Sequence, residues 1–330
     1  MNALDALSER PLDARLTRVG SQLHRPECVL ATSTGTLYTA DWRGGVTRIL
    51  PDGTETLFTG TMPDGLTARP NGIALMADGS FLMAQLGEDD GGVYRLSRSG
   101  QITPWLRQAD GMDLPPSNYV VQDAEGRTWI TVSTRQTPRA AAYRVDVADG
   151  FIVCVTAHGL ASIVADGLGY TNEVALHPSG QWLYVNETFG RRLSRFEVTP
   201  SGALGARETV TEFESGTFPD GLAFDEEGCA WIVSIVSNRV IRVAPDGSQH
   251  LFLEDNDPEH VAWVEDAFLR NSMGRPHLDG VRSRRLRNIS SIAFSGPDRR
   301  TGVLGCLLGN HLESLSMPVA GVAPFHWTFP

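Results

Sequence analysis

Two carboxylates and two carboxamides, Glu27, Asn118, Asn172 and Asp220, stand at equivalent places in a phrase that returns along the chain at intervals of about 50 residues. Oxygen donors of this kind suit a hard cation: two carboxylates balance a divalent charge, and amide oxygens with water complete the shell. No His or Cys occupies the slot, so calcium is the default ion for a single divalent site. Manganese and ferrous iron are alternatives, and zinc would need donors other than its usual thiolates and imidazoles. A plainer account treats Asn and Asp as turn formers, since "PDG" also occurs at 51–53 and 245–247, where it joins outer strands. That account does not cover the whole set, because Glu27 is followed by Cys28 and Asn172 by Glu173 rather than by a shared glycine.

The elements that must hold these residues are legible in the phrase itself. "PDGLAFDEEGCAWIVSIVSNRVIRVAPDG" from Pro219 lines up with segments starting at Pro26, Pro70, Ser117, Thr171 and, more loosely, Ile289. Each reads as four β-branched and aromatic strands separated by turns rich in Asp, Ser, Pro and Gly. Four-stranded units at this period predict an all-β protein, a six-bladed β-propeller forming one domain over residues 1–330. The slot before each innermost strand holds Glu27, Asn71, Asn118, Asn172, Asp220 and Ser290, which the blades would bring together at one mouth of the central channel. The last repeat lacks a convincing fourth strand. The alternating segment Ala14–Leu23 is expected to supply it and close the ring, removing two open sheet edges.

Strand direction then sorts the loops. "ADWRGG" (40–45), "QLGEDDGG" (85–92), "STRQTPRAA" (133–141) and "NETFGRR" (186–192) should frame the same mouth as the slot. Trp42 and Phe189 could line a pocket there, and Arg135, Glu187 or Arg191 could contact substrate, as loops on a rigid scaffold often do. His177 falls in a turn at the opposite end, which makes it a poor catalytic candidate. The longest connection, 256–288, precedes the last blade and contains "PEHVAWVEDAFLR". Val261, Val264, Phe268 and Leu269 follow Pro258 at helical spacing, so a helical insertion over the mouth is expected.

Composition narrows the function further. A net charge of −11 argues against a nucleic-acid partner. Every basic residue is arginine; the absence of lysine excludes Schiff-base aldolases, pyridoxal-phosphate enzymes and a P-loop. Cys28, Cys154, Cys229 and Cys306 are widely spaced, without a C-x-x-C pair, and read as buried free thiols. No apolar leader or membrane-length run occurs, so a cytoplasmic protein with a small-molecule substrate and no membrane partner is expected; the oligomeric state is left open.

With Glu27 in "RPECVLATSTGTLYTADW", Asn172 in "TNEVALHPSGQWLYV" and Asp220 in "PDGLAFDEEGCAWIV", the chain resembles the SMP-30/gluconolactonase/LRE family from about residue 20 to 255. The resemblance implies a propeller with a divalent metal on its axis held by Glu27, Asn172 and Asp220. Asn118 would touch the metal, its water or the substrate. It further implies a metal-dependent hydrolase of a cyclic ester of the sugar-acid lactone type, in which Asp220 serves as general base. Phosphotriester hydrolysis on a similar donor set and a non-catalytic ligand-binding propeller are the rival readings. Two departures bear on the substrate: "LPPSN" carries Pro115 and Pro116 where many sugar lactonases have an arginine, and Glu173 replaces the usual glycine after Asn172.

Overall fold

A computed structural model describes residues 11–87, 91–280 and 282–330. Residues 88–90, part of the predicted mouth loop 85–92, and Val281 in the insertion lie outside the described residues. Six four-stranded antiparallel sheets form a β-propeller. The innermost strands, in blade order, are Val29–Ala31, Pro70–Leu75, Tyr119–Gln122, Thr171–Leu176, Thr217–Phe224 and Ile289–Ser295. Each sheet packs between its two neighbours, so both of its faces are buried and the inner strands run almost wholly apolar, as in Ala230–Val236.

The repeated turn has one local cause. Where the innermost strand reverses into the second, Gly35, Gly79, Gly126, Gly180 and Gly228 take φ between +71° and +81°. Each donates its N–H to the carbonyl three residues earlier. Glycine adopts this left-handed backbone without the Cβ penalty. The sixth blade uses Arg299 at φ 52° in the same place, which is why its phrase reads as the weakest of the six.

The ring closes as expected, though with a shorter strand than the alternation suggested. Thr17–Val19 pairs antiparallel with Leu312–Ser314 as the outer strand of blade 6. Leu12–Arg15 before it is a single helical turn. The insertion is helical too. Asp257 caps Pro258–Leu269 by accepting the His260 N–H at 2.9 Å, and a short helix Arg275–Asp279 follows. Val264 and Phe268 are buried as predicted, whereas Leu269 is 71% exposed. The apolar face packs on Phe189, Phe218 and Ile235 of blades 4 and 5. Bidentate Arg191–Glu265 and the fully buried Asn288, which accepts Val236 N–H and donates to Leu278 O, tie the insertion to the propeller. All four cysteines are free and buried.

Candidate active site

The recurring slot is more structured than a turn. In blades 2, 4 and 5 the pairing of the first two strands skips between Pro70 and Ile73, Thr171 and Val174, and Pro219 and Leu222. Blade 6 skips between Ile289 and Ser291. Asn71, Asn172, Asp220 and Ser290 therefore sit in β-bulges inside the innermost strands, a device that re-aims a side chain. Glu27 and Asn118 precede their strands outright. Close blade contact at this level explains the glycine after Asp220: a Cβ on Gly221 would lie 2.6 Å from Ser291 Cα.

Hydrogen bonds stitch the slots into a ring. Asn71 Nδ2 donates to Asn118 O at 3.1 Å, and Ser290 Oγ donates to Glu27 O at 3.0 Å. Asn172 Nδ2 donates to Thr188 Oγ1, which itself donates to Pro219 O. Asn186 Nδ2 holds the carbonyls of Asp220 and Gly221 freed by the bulge. Glu27, Asn71, Asn118, Asn172, Glu173 and Asp220 are all at most 6% exposed. Three side-chain amide oxygens of the slot are left over: Asn71 Oδ1, Asn118 Oδ1 and Asn172 Oδ1 are buried without a partner among the described residues. An orphaned buried acceptor costs about 1–3 kcal/mol. Three around one axis are explained by something that accepts their lone pairs.

The charges point the same way. Burial first, then the nearby carboxylates of Glu27 and Glu173, push the Asp220 carboxyl well above the usual range; Arg25 and a hydrogen bond with Asn172 pull in the other direction. Burial likewise pushes Glu173 up to about 8, although its Oε2 accepts Leu222 N–H at 2.8 Å. Arg25, at φ 52°, donates from Nε to Glu27 Oε2 at 3.0 Å and stacks 4.4 Å above the Trp42 ring. Three carboxyls share this pocket with one guanidinium, so ionising all of them would leave negative charge that a bound cation offsets. Cys28, beside Glu27, offers no thiolate, because burial raises its pKa well above the ordinary value. Among the described residues no three His, Cys, Asp or Glu side chains group as metal ligands, so any ion here depends on the amide oxygens. Such a set fits a hard divalent cation and not a soft one.

The loops divide sharply. Trp42 lies at this mouth, its Nε1 donating to Pro70 O at 3.0 Å. Arg135 is taken up by Asp166 through two hydrogen bonds of 2.8 and 2.9 Å. Glu187 is fully buried and accepts from Gly169 N, Arg192 and Ser194, so its oxygens face the sheet. Phe189 is core under the insertion helix, and Arg191 is held by Glu265. Sequence reasoning passed over Arg139 and Arg275. Arg139 Nη2 donates to Ser133 Oγ at 3.1 Å, its guanidinium lies 5.5 Å from the Tyr170 centroid, and its buried Nε has no partner among the described residues. Arg275 hydrogen-bonds Tyr143 and pairs with exposed Asp279. Tyr170 leads directly into Thr171 and Asn172, which puts this arginine–tyrosine cluster on the rim above the ring. Only the paired arginines of "STRQTPRAA" could have hinted at it, since "MGRPHLDG" holds Arg275 alone.

Residues 25–252 match the SMP-30/Gluconolactonase/LRE-like region. A 6-deoxy-6-sulfogluconolactonase from Pseudomonas putida is 30% identical over 214 residues, 64% of this chain and 68% of the relative. A gluconolactonase structure from Xanthomonas campestris superposes with a TM-score of 0.68 at 22% identity, covering 95% of this chain and 93% of its own. A calcium-binding regucalcin from Agrobacterium tumefaciens superposes with a TM-score of 0.68 at 18% identity, covering 95% and 97%.

Proposed function

The chain belongs to the SMP-30/Gluconolactonase/LRE-like family, and from that premise we propose that it is a lactonase-type hydrolase acting on a sugar-acid lactone at the oxygen ring. The observation that carries the reading is the trio of partnerless amide oxygens around buried Glu27 and Asp220. Glu27, Asn118, Asn172 and Asp220 would hold one divalent cation, calcium as in the regucalcin neighbour, which when bound polarises the ester carbonyl and stabilises developing oxyanion charge. Asn71, whose oxygen faces the same shortage of partners, joins that donor set.

Asp220 takes the proton from the attacking water. Among the described residues Asn172 is its one side-chain partner, so it has a lone pair to give. Asn118 and Asn172 orient the ester and the water by their amides. Arg25 holds Glu27 in place from one side while its guanidinium covers Trp42, and the pair forms a flat wall on which a sugar ring can rest. The Pseudomonas relative is named for a lactone that bears a sulfonate. Arg139 and Arg275 give this chain the means to grip such an anion at the distal end of the substrate, because guanidinium groups match oxyanions with paired donors.

The direct test is a metal analysis of the purified protein together with hydrolysis rates on δ-gluconolactone, its 6-deoxy-6-sulfo analogue and a phosphotriester. Hydrolysis of either lactone that EDTA lowers and calcium or manganese restores is the expected result. Turnover of the phosphotriester alone transfers the site to that chemistry, and no turnover of any substrate by metal-replete protein overturns the reading.

A further inference from the structure

We propose that Asn186 and Thr188, each at most 1% exposed, are positioning residues that fix the Asp220 carboxyl and the Asn172 amide oxygen in the orientation that binds the cation. The inference rests on the lactonase reading above and adds to it the residues that set its geometry. Asn186 lies in Trp182–Glu187, the second strand of blade 4, and Thr188 follows the end of that strand. Side chains alternate along such a segment, so Asn186 and Thr188 share one face while Glu187 takes the other. The shared face meets blade 5 at residues 219–221, where the bulge that carries Asp220 interrupts strand pairing.

A bulge frees backbone polar groups, and here side chains of blade 4 take them up. The NH2 of Asn186 has two hydrogens and donates to Asp220 O at 3.0 Å and to Gly221 O at 3.1 Å. Thr188 Oγ1 donates to Pro219 O at 2.8 Å. Glu173 Oε2 accepts Leu222 N–H at 2.8 Å. Each residue from Pro219 to Leu222 is thus held through its backbone by blade 4. The direction of the Asp220 side chain is set without spending its carboxyl oxygens.

Thr188 also decides which end of Asn172 faces the axis. A hydroxyl has one hydrogen, and a carbonyl such as Pro219 O can only accept it. Toward Asn172, 3.1 Å away, Thr188 therefore offers a lone pair. Asn172 must answer with its NH2, whose other hydrogen serves the Asp220 carboxyl. Its Oδ1 is left buried and without a partner among the described residues. The Thr188 N–H donates to Tyr170 O at 3.0 Å, which ties the hydroxyl to the start of the strand that carries Asn172. One side chain thus turns a carboxamide with two ends into an oxygen donor suited to a hard cation.

The test pairs the isosteric Thr188→Val with Thr188→Ser, which keeps the hydroxyl, and uses Asn186→Leu for the other arm. Isothermal titration of the metal-free full chain with calcium should give a Kd raised about 10- to 100-fold in Thr188→Val, the usual cost of losing a group that orients a metal ligand. Thr188→Ser should stay close to wild type. Asn186→Leu should lower kcat on δ-gluconolactone by about 10²-fold with KM little changed, as a small misplacement of a reacting group does. In the Asp220→Asn background it should cost no further turnover, because residues that act through one group are not additive. Circular dichroism verifies folding, and the two arms are scored separately, so an unfolded variant in one leaves the other to decide. Full calcium affinity in folded Thr188→Val, an equal loss in Thr188→Ser, or an undiminished further loss from Asn186→Leu on Asp220→Asn would each overturn the proposal alone. Wild-type protein that neither binds calcium nor opens the lactone would overturn the proposed function, and this assignment with it.

Discussion

The two ends of the channel are built from the same repeat, yet they treat buried carboxylates in opposite ways, as Asp220 and Asp225 of blade 5 show. Asp225 accepts from Glu227 N, Cys229 N, Trp231 Nε1 and Arg242 Nε, all between 2.8 and 3.0 Å. Asp123 in blade 3 repeats the arrangement with Glu125 N, Arg127 and Trp129 Nε1. Those aspartates cap a turn, anchor a tryptophan and have no capacity left. Asp220, only 3% exposed, receives neither a backbone donor nor an arginine hydrogen bond among the described residues. Burial by itself does not mark a functional carboxylate; burial with unused lone pairs does.

The sharpest way to break this contrast is to neutralise both aspartates. Asp220→Asn should leave the fold intact and cut lactone hydrolysis by about 10²–10⁴-fold, the usual worth of a positioned base. Asp225→Asn should leave kcat nearly unchanged and lower stability by about 1.5–3 kcal/mol through its charged hydrogen bonds, read as a shift of the urea midpoint. Loss of turnover in Asp225→Asn at full stability, or its retention in Asp220→Asn, would erase the distinction.

A second comparison separates the rim from the ring. Arg139→Gln should raise KM for the sulfonated lactone by about 10- to 100-fold, the range for charge-assisted hydrogen bonds. Its kcat/KM on δ-gluconolactone should stay within a factor of about 2–3 of wild type, the ordinary context scatter. Equal losses on both substrates would assign Arg139 to the scaffold instead.

Chelation probes the partnerless oxygens directly. EDTA should lower the melting temperature and calcium restore it, by about 2.7 kcal/mol at a hundredfold excess over Kd. The response should vanish in Asp220→Asn and persist in Asp225→Asn. Differential scanning fluorimetry on the three proteins decides it.

The smallest effect belongs to the far end. His326 has a folded-state pKa of about 4, below its ordinary 6.5. The unfolded chain therefore takes up a proton first, and the folded state loses stability as pH falls from about 6.5 toward 4. His326→Phe should show a shallower decline in melting temperature between pH 7 and pH 5 than the wild type. Parallel declines would mean that the imidazole is not held neutral.

Much of this protein was legible in its sequence, because strands and turns answer to local chemistry. Alternation, β-branching and, in five of the six blades, a glycine at the fourth turn residue specify a blade, and six repetitions specify the propeller, including closure by a segment before the first repeat. The oxygen ring was legible as a set of positions for the same reason: a residue repeated once per blade must converge on the axis. What each side chain does there was not. Local pattern cannot say that Arg191 meets Glu265 or that Arg135 meets Asp166, leaving Arg139 and Arg275 on the rim. Nor can it show that bulges turn Asn172 and Asp220 inward, or that Asn288 locks the insertion to blade 5. Ser290 and Glu27 meet across 263 residues of chain. Hydrogen-bond supply and demand at such a site is settled only when distant segments are packed together, and the partnerless amide oxygens exist only in that packed state.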